Sequence, residues 1–185
     1  MPKPSKKPVI LRAAAQVVQE RGVLHLTLEA VAEKAGISKG GLLYHFPSKE
    51  ALVEGMVHHI SETYQTETAK YVSEDEHEQG KWTRAYISET FRQSTEEKDM
   101  NAGMLAAVGI NPELMAPIQE AYQKWRERIE TDGLNKTDAT IALLAADGLW
   151  LSQLFGLAPL DEDEREEVFR RLMEQTLSSE HEKTE

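Results

Sequence analysis

The stretch Thr27-Leu28-Glu29-Ala30-Val31-Ala32-Glu33-Lys34-Ala35-Gly36-Ile37-Ser38-Lys39-Gly40-Gly41-Leu42-Leu43-Tyr44-His45-Phe46-Pro47-Ser48-Lys49-Glu50-Ala51-Leu52 decides how this chain reads. Its apolar residues recur at three- and four-residue steps, the spacing of a helix face. Thr27 is a good N-cap for a short helix over 28–34, in which Ala30, Val31 and Ala35 face inward and which Gly36 breaks. Ser38 caps the next short helix, Pro47 limits its length, and Ser48 caps a long one in which Leu52, Met56, Ile60 and Tyr64 repeat every four residues. Helix, glycine turn, helix is the pattern of a helix-turn-helix unit. Its second helix fits the major groove of duplex DNA, which is about 12 Å wide and whose edges distinguish all base pairs. Here that helix opens on Ser38, Lys39, Gly40 and Gly41, and missing side chains let a backbone approach DNA. Taken alone, the glycine pair equally describes a weak helix, since glycine costs about 1 kcal/mol relative to alanine.

The charge around this stretch points the same way. The chain of 185 residues carries a net charge of -11, which for the average protein argues against a polyanionic partner. The average hides a split. Residues 1–49 hold eight lysines and arginines against three glutamates, +5, which leaves -16 for the rest. A basic head on an acidic body gives this asymmetry, as does a plain solvated basic arm that includes Lys3, Lys6 and Lys7. With 40% hydrophobic and 29% charged residues the composition is that of a globular protein with a real core. There is no cysteine, hence no disulfide framework, zinc finger or thiol nucleophile. The basic start runs into helical alternation rather than the apolar block of a signal peptide, and the chain reads as cytoplasmic.

Outward from the head, the periodicity stays helical and no strand is expected. A first helix spans 9–21, with Pro8 in its first turn, Ile10, Ala14, Val17 and Val18 on one face and Gly22 as a left-handed terminus. After a polar loop at 73–80, helices are expected at 81–97, 101–109, 113–132, 137–157 and 162–178, with Asn111-Pro112 and Asp132-Gly133 as breaks and a frayed tail beyond Ser178. The segment Ala139–Ala158 is the most apolar, with 14 of 20 residues hydrophobic. It does not read as a membrane span, because Asp147, Ser152 and Gln153 sit in its middle and a central charge costs roughly 3 kcal/mol. Leu144, Gly148, Ser152 and Gly156 step by four and allow another helix close. The last helix is capped by Asp161 with Glu164 three positions on. Two apolar helices at the end of so short a chain exceed one core's needs, and point to a homodimer through a four-helix bundle. Its seam would be built from Ile141, Leu144, Gly148, Leu151, Ser152 and Phe155 with Val168, Phe169, Leu172 and Met173.

Across residues 9–56 the sequence resembles the DNA-binding head of TetR-type transcriptional regulators. The Thr at the second helix start, Ala-Gly-Ile-Ser at 35–38 and Phe-Pro-Ser-Lys-Glu-Ala-Leu at 46–52 carry the resemblance. It implies an all-α, TetR-like fold of about nine helices: a helix-turn-helix DNA-binding domain at 1–47 and a helical regulatory and dimerisation domain at 48–185. It further implies a homodimer that reads a pseudo-palindromic operator and is moved off it when a body pocket fills. Carried over by residue, Thr27 binds a phosphate, Lys39, Gly40 and Gly41 face base edges, and Tyr44, His45 and Lys49 hold the DNA backbone, with Ser38 also among the DNA-binding residues. The family often has Tyr where Leu43 stands and Thr or Ala where Gly41 stands, so base reading falls more heavily on Lys39 or on DNA shape. Independently of any family, an N-cap such as Thr27 exposes backbone N–H groups that suit a phosphate. A cation in a first helical turn, as at Lys49, is unfavourable unless an anion lies near.

The body offers Trp82, Tyr86, Phe91, Met104, Met115, Tyr122, Trp125, Trp150 and Leu154 as large apolar surface for a pocket, or equally for a solid core. A small, fairly apolar effector would fit, with Arg92, Asp147 and Gln153 as polar handles. His58 and His59 lie near Glu62, but adjacent histidines point to different faces and no metal site is expected. No HExxH, GxxxxGK[ST] or GxSxG motif occurs, and no cofactor, catalytic group or membrane contact is expected. The chain thus reads as a ligand-responsive DNA-binding regulator, most simply a repressor. The other reading is a helical dimeric protein-interaction module whose basic head touches DNA without specificity.

Overall fold

Three side-chain caps set the opening helices where the sequence places them. The computed structural model describes residues 6–96, 98–157 and 160–178. Helix α1 runs Lys7–Arg21, with Pro8 in its first turn and Ile10, Ala14, Val17 and Val18 buried as expected. Gly22 ends it at φ 83°, ψ 164°, outside the left-handed helical basin expected of it, because a single 3-10 turn, Val23–His25, follows directly. Helix α2 (Leu28–Ala35) starts at Thr27, whose Oγ1 accepts from the Ala30 amide at 3.1 Å. Gly36 is left-handed at φ 65°, and the Ile37 amide bonds back to the Ala32 carbonyl, which turns the chain sharply. The Ser38 hydroxyl accepts from Gly41 at 3.1 Å to start α3 (Lys39–His45), and Ser48 accepts from Ala51 at 3.0 Å to start α4 (Lys49–Glu74).

The later helices are α5 (Lys81–Glu96), α6 (Lys98–Ile110), α7 (Ala116–Glu130), α8 (Lys136–Phe155) and α9 (Glu162–Ser178). Among the described residues there is no strand. Three boundaries differ from expectation. Helix α4 runs to Glu74, so the polar loop begins only at Asp75; α6 begins three residues early; and the stretch expected as one helix over 113–132 opens with a 3-10 turn, Pro112–Met115. Asn111 explains the last, since its side chain accepts from the Glu113 amide and proline follows it at once. Asp132 sets the start of α5 from fifty residues away: its carboxylate accepts from the amides of Trp82 and Thr83 and from the Thr83 hydroxyl. The expected reciprocal cap of α9 forms, Asp161 accepting from the Glu164 amide and Glu164 from the Asp161 amide. Lys3 of the basic arm and the tail beyond Ser178 lie outside the described residues.

Two compact units result, one from the described residues of Met1–Glu62 and Glu97–Glu120, the other from Thr63–Glu96 and Ala121–Glu185. In the first, α1, α2, α3 and the start of α4 close over Ile10, Val17, Leu26, Val31, Leu42, Phe46, Leu52 and Val57, with Ala102, Ala106 and Ala107 of α6 sealing the same core. Ala32 rather than Ala30 or Ala35 is the fully inward alanine of α2. The approach of α6 is close: a β-carbon at Gly103 would lie 2.6 Å from Ile60 Cδ1. In the second unit, Tyr86, Ile87, Phe91, Trp125, Ile129, Ala139, Ala142, Ala146, Leu149 and Leu172 form the core. Helices α4 and α7 each begin in the first unit and end in the second. Among the described residues no helix is long and apolar enough to cross a membrane.

Candidate nucleic-acid interface and body site

Helix α3 is seven residues long and spends its apolar side chains on anchoring itself. Leu42 is fully buried and Phe46 nearly so, which locks the helix against α1, α2 and α4. Phe46 also explains Gly55 of α4, where a β-carbon would meet the phenyl edge at 2.6 Å. The opposite side of α3 is open. Ser38, Lys39 and Gly40 are exposed, Gly41 is half-exposed, and a β-carbon at Gly40 would meet nothing within 4 Å. At Gly41 it would lie 3.2 Å from Ser38 Oγ, so glycine there spares the cap. Tyr44 is 85% exposed, with its ring edge-on to His45 at 5.1 Å between centroids. Thr27 is exposed at the start of α2, while Lys49 is half-buried in the first turn of α4. The exposed or half-exposed members of the set therefore come from the start of α2, from α3 and from the start of α4.

Sequence reasoning missed Glu29. Its Oε1 lies 2.5 Å from Lys39 Nζ, and the ammonium holds the Glu29 carboxyl below its usual range. Lys34 is similarly 2.6 Å from Glu20. A glutamate in a first helical turn already looks satisfied by the helix dipole. Its partner ten residues on becomes visible only once the turn angle at Gly36 is known. Near His58 lies Glu54 at 3.9 Å, and no group of three or more metal-ligating side chains gathers among the described residues.

The residues expected to line a body pocket divide. Met104 and Met115 pack on the first core, whereas Tyr86, Phe91 and Trp125 are buried in the second with Trp82 against them. Trp150 is buried and Leu154 half-buried on α8, and Tyr122 is exposed on α7. Tyr64, which sequence reasoning placed only in the long apolar repeat, joins this aromatic set. Its ring lies 5.9 Å from Tyr86 and 5.8 Å from Trp125, and Trp82 lies 5.6 Å from Trp125, all edge-on. The Arg128 guanidinium covers Trp82 at 4.4 Å and Trp125 at 5.4 Å. Beside this cluster the hydroxyls of Tyr86 and Tyr122 both donate to Asp147 Oδ1, at 2.5 and 3.1 Å. Burial raises the pKa of the Asp147 carboxyl, against the pull of the two phenols, and raises those of Tyr64 and Tyr86 as well.

Of the other expected polar handles, Arg92 is clasped by Glu89, at 2.7 and 2.8 Å, and the Gln153 side-chain carbonyl is buried with no hydrogen-bond partner among the described residues. A groove of about 280 Å³ runs between α7 and α8. Tyr122 and Asp147 stand at one end, Ile129, Ala139 and Leu143 along the floor, and Glu130 and Lys136 at the other end, with Leu144 on its wall.

The expected seam residues also divide. On α8, Ile141, Leu144, Leu151 and Phe155 are exposed, and with Gly148 they alternate three- and four-residue steps, the seam of paired helices. A β-carbon at Gly148 would meet nothing. On α9, Leu172 is buried and Val168, Phe169 and Met173 pack against the chain's own second core, Phe169 lying 5.1 Å from Phe91.

Known proteins resemble both parts of the chain. A family model for bacterial regulatory proteins of the tetR family matches residues 10–56, and one for a tetracyclin repressor-like C-terminal domain matches 80–177. The HTH-type transcriptional regulator RutR of Escherichia coli is 46% identical over 56 residues, 30% of this chain and 26% of that protein. The nucleoid occlusion factor SlmA of Alteromonas mediterranea is 36% identical over 73 residues, 40% of this chain and 37% of that one. The matches thus span about a quarter to a little over a third of the length of these curated relatives. Among solved structures, the fatty acid degradation regulator FadR from Bacillus halodurans superposes with a TM-score of 0.72 at 18% identity, over 93% of this chain and 96% of that chain.

Proposed function

Since the chain belongs to the TetR family of bacterial regulatory proteins, we propose that it is a ligand-responsive, DNA-binding repressor of transcription, with residues 1–47 as its reading head and 48–185 as its regulatory and pairing part. It acts in the cytoplasm as a homodimer on a pseudo-palindromic operator, and a small, fairly apolar effector releases it.

One observation supports this most: a short α3, capped by Ser38, whose apolar side is spent on the core and whose other side offers Lys39, Gly40 and Tyr44 to solvent. In the complex α3 lies in the major groove. Lys39 reads base edges, the open backbone at Gly40 and Gly41 lets the helix sit deep, and Thr27, Tyr44, His45 and Lys49 hold phosphates that fix its register. Pairing through the exposed seam of α8 sets two heads for grooves one helical turn or more apart. Helix α4 enters both units, so an effector held by the second unit that prefers one orientation of α4 alters the spacing of the heads. A coupling of about 1.4 kcal/mol suffices for a tenfold loss of DNA affinity.

Selection of bound duplex from a random pool tests the reading. The expected product is an inverted repeat bound at about 10⁻⁸ M or tighter at physiological salt. Equal affinity for the selected repeat and for random duplex would overturn it.

A further inference from the structure

The carboxylate of Asp147 is half-buried on the most apolar helix of the chain, and its two oxygens are treated differently. Both phenols donate to Oδ1, while no described residue bonds to Oδ2. Among the described residues no cation pairs with the carboxylate either. Arg128 lies over the two indoles. Lys136 is 3.0 Å from Glu130, and Arg126, which also lines the groove, acts on that same glutamate. A charge withdrawn from water without an opposite charge is costly, and asparagine would accept the same two phenol bonds without that cost. The charge is therefore a feature of the groove, and it is complementary to something the chain does not supply.

We propose that the groove between α7 and α8 binds an organic cation, a protonated amine or amidine whose charge meets Asp147 Oδ2 and whose apolar body rests on Ile129, Ala139 and Leu143. The two phenols fix the carboxylate so that Oδ2 is the oxygen left for the ligand. Tyr122 also lines the groove, and its ring adds an aromatic surface for the same charge. A groove of about 280 Å³ suits a single-ring molecule, since pockets for drug-sized ligands start at roughly 300 Å³. This names the chemical class of the proposed effector, and rests on the repressor reading only for its regulatory meaning.

Calorimetric titration of the full chain with benzamidine, a cation at neutral pH, and with benzamide, its neutral analogue of the same shape, tests the site. Benzamidinium is expected to bind at least about tenfold more tightly than benzamide, as a charge-assisted bond should. Asp147→Asn is expected to erase that preference. Thr140→Trp, a change at an exposed wall position that fills the groove, is expected to remove binding of both and stands in if the Asp147 variant does not fold. Equal affinity of the wild-type chain for the two probes, no binding of either, or a preference that survives in both variants would overturn the proposal. No DNA is present, so an indifferent selection experiment would sink the repressor reading without touching this one, and the reverse holds equally.

Discussion

Leu144 is the most exposed member of the α8 seam, 65% open in the isolated chain, and replacing it by glutamine isolates what pairing gains from it. Fully burying a leucine side chain is worth about 1.5–3 kcal/mol, so covering the open share is worth about 1–2 kcal/mol in each copy. Twofold symmetry counts this twice, which assigns about 2–4 kcal/mol of association to one position. Leu144→Gln is therefore expected to raise the dimer dissociation constant by about 30- to 900-fold. Glutamine keeps the length and helix propensity of the side chain and adds no charge beside Asp147. Because the side chain faces solvent before pairing, the stability of the unpaired chain should change by no more than about 0.5 kcal/mol. Sedimentation equilibrium over a range of loading concentrations measures the constant, and urea unfolding at the lowest concentration checks the fold. A change below about threefold, or a wild-type chain that stays monomeric at micromolar concentration, would refute the reasoning.

Gly148→Ala should act with opposite signs on chain and dimer: about 1 kcal/mol of helix stability gained in the unpaired chain, where the methyl meets nothing, and weaker association where two copies of α8 must approach. A dimer strengthened by the methyl would show that Gly148 does not face the seam. Thr27→Ala removes the cap of α2 and should cost about 1 kcal/mol in urea unfolding, together with a loss of DNA affinity that is the same for every sequence. Lys39→Ala should instead lower affinity for the selected operator more than for random duplex, and an equal loss on both would remove Lys39 from base reading. Burial raises Asp147 above its ordinary value of 3.8, so the folded state holds that proton more tightly than the unfolded chain. Ionisation of Asp147 therefore destabilises the fold as pH rises from the ordinary carboxylate range through the raised folded value. Asp147→Asn should be more stable than wild type at pH 7, with the difference closing on acidification; a constant difference across pH would contradict this.

The local grammar of the chain was fully legible. Thr27, Ser38, Ser48 and Asp161 cap where the sequence places them, because a side-chain oxygen and an amide three residues on need no tertiary context to find one another. Helices bounded by such residues were correct to within a position or two. What failed was set at long range. The end of α4 and the start of α6 depend on loops, and α5 begins where Asp132 holds it, a partner fifty residues away; the exception is the Pro112–Met115 turn, which has a local cause in the Asn111 cap and the proline after it. The apolar stripes of α8 and α9 look alike in sequence, yet the α9 stripe packs inward, Phe169 meeting Phe91, whereas α8 buries Ala139, Ala142, Ala146 and Leu149 and leaves a second apolar stripe, Ile141, Leu144, Leu151 and Phe155, exposed. Methionines 104 and 115 were grouped with the aromatic residues by composition alone, and the chain path through α6 and the following turn takes them to another core. At the reading head the positions on α3 followed from periodicity, while the Glu29–Lys39 pair needed the turn geometry between two helices.

That pair, with Glu20 and Lys34, means the head carries some of its neutralising charge bolted on. Mobile sodium expelled from a duplex diffuses away and rewards the protein that expels it. A carboxylate tethered one helix over cannot leave, and when Lys39 turns toward a base, Glu29 is left facing a polyanion. Each excursion onto an incorrect sequence then meets a repulsion that dilution of salt does not relieve. In the proposed complex the consequence is a protein that glides over unrelated duplex with a shallow ionic-strength dependence for its number of lysines, and lingers only where base edges outbid its own glutamate.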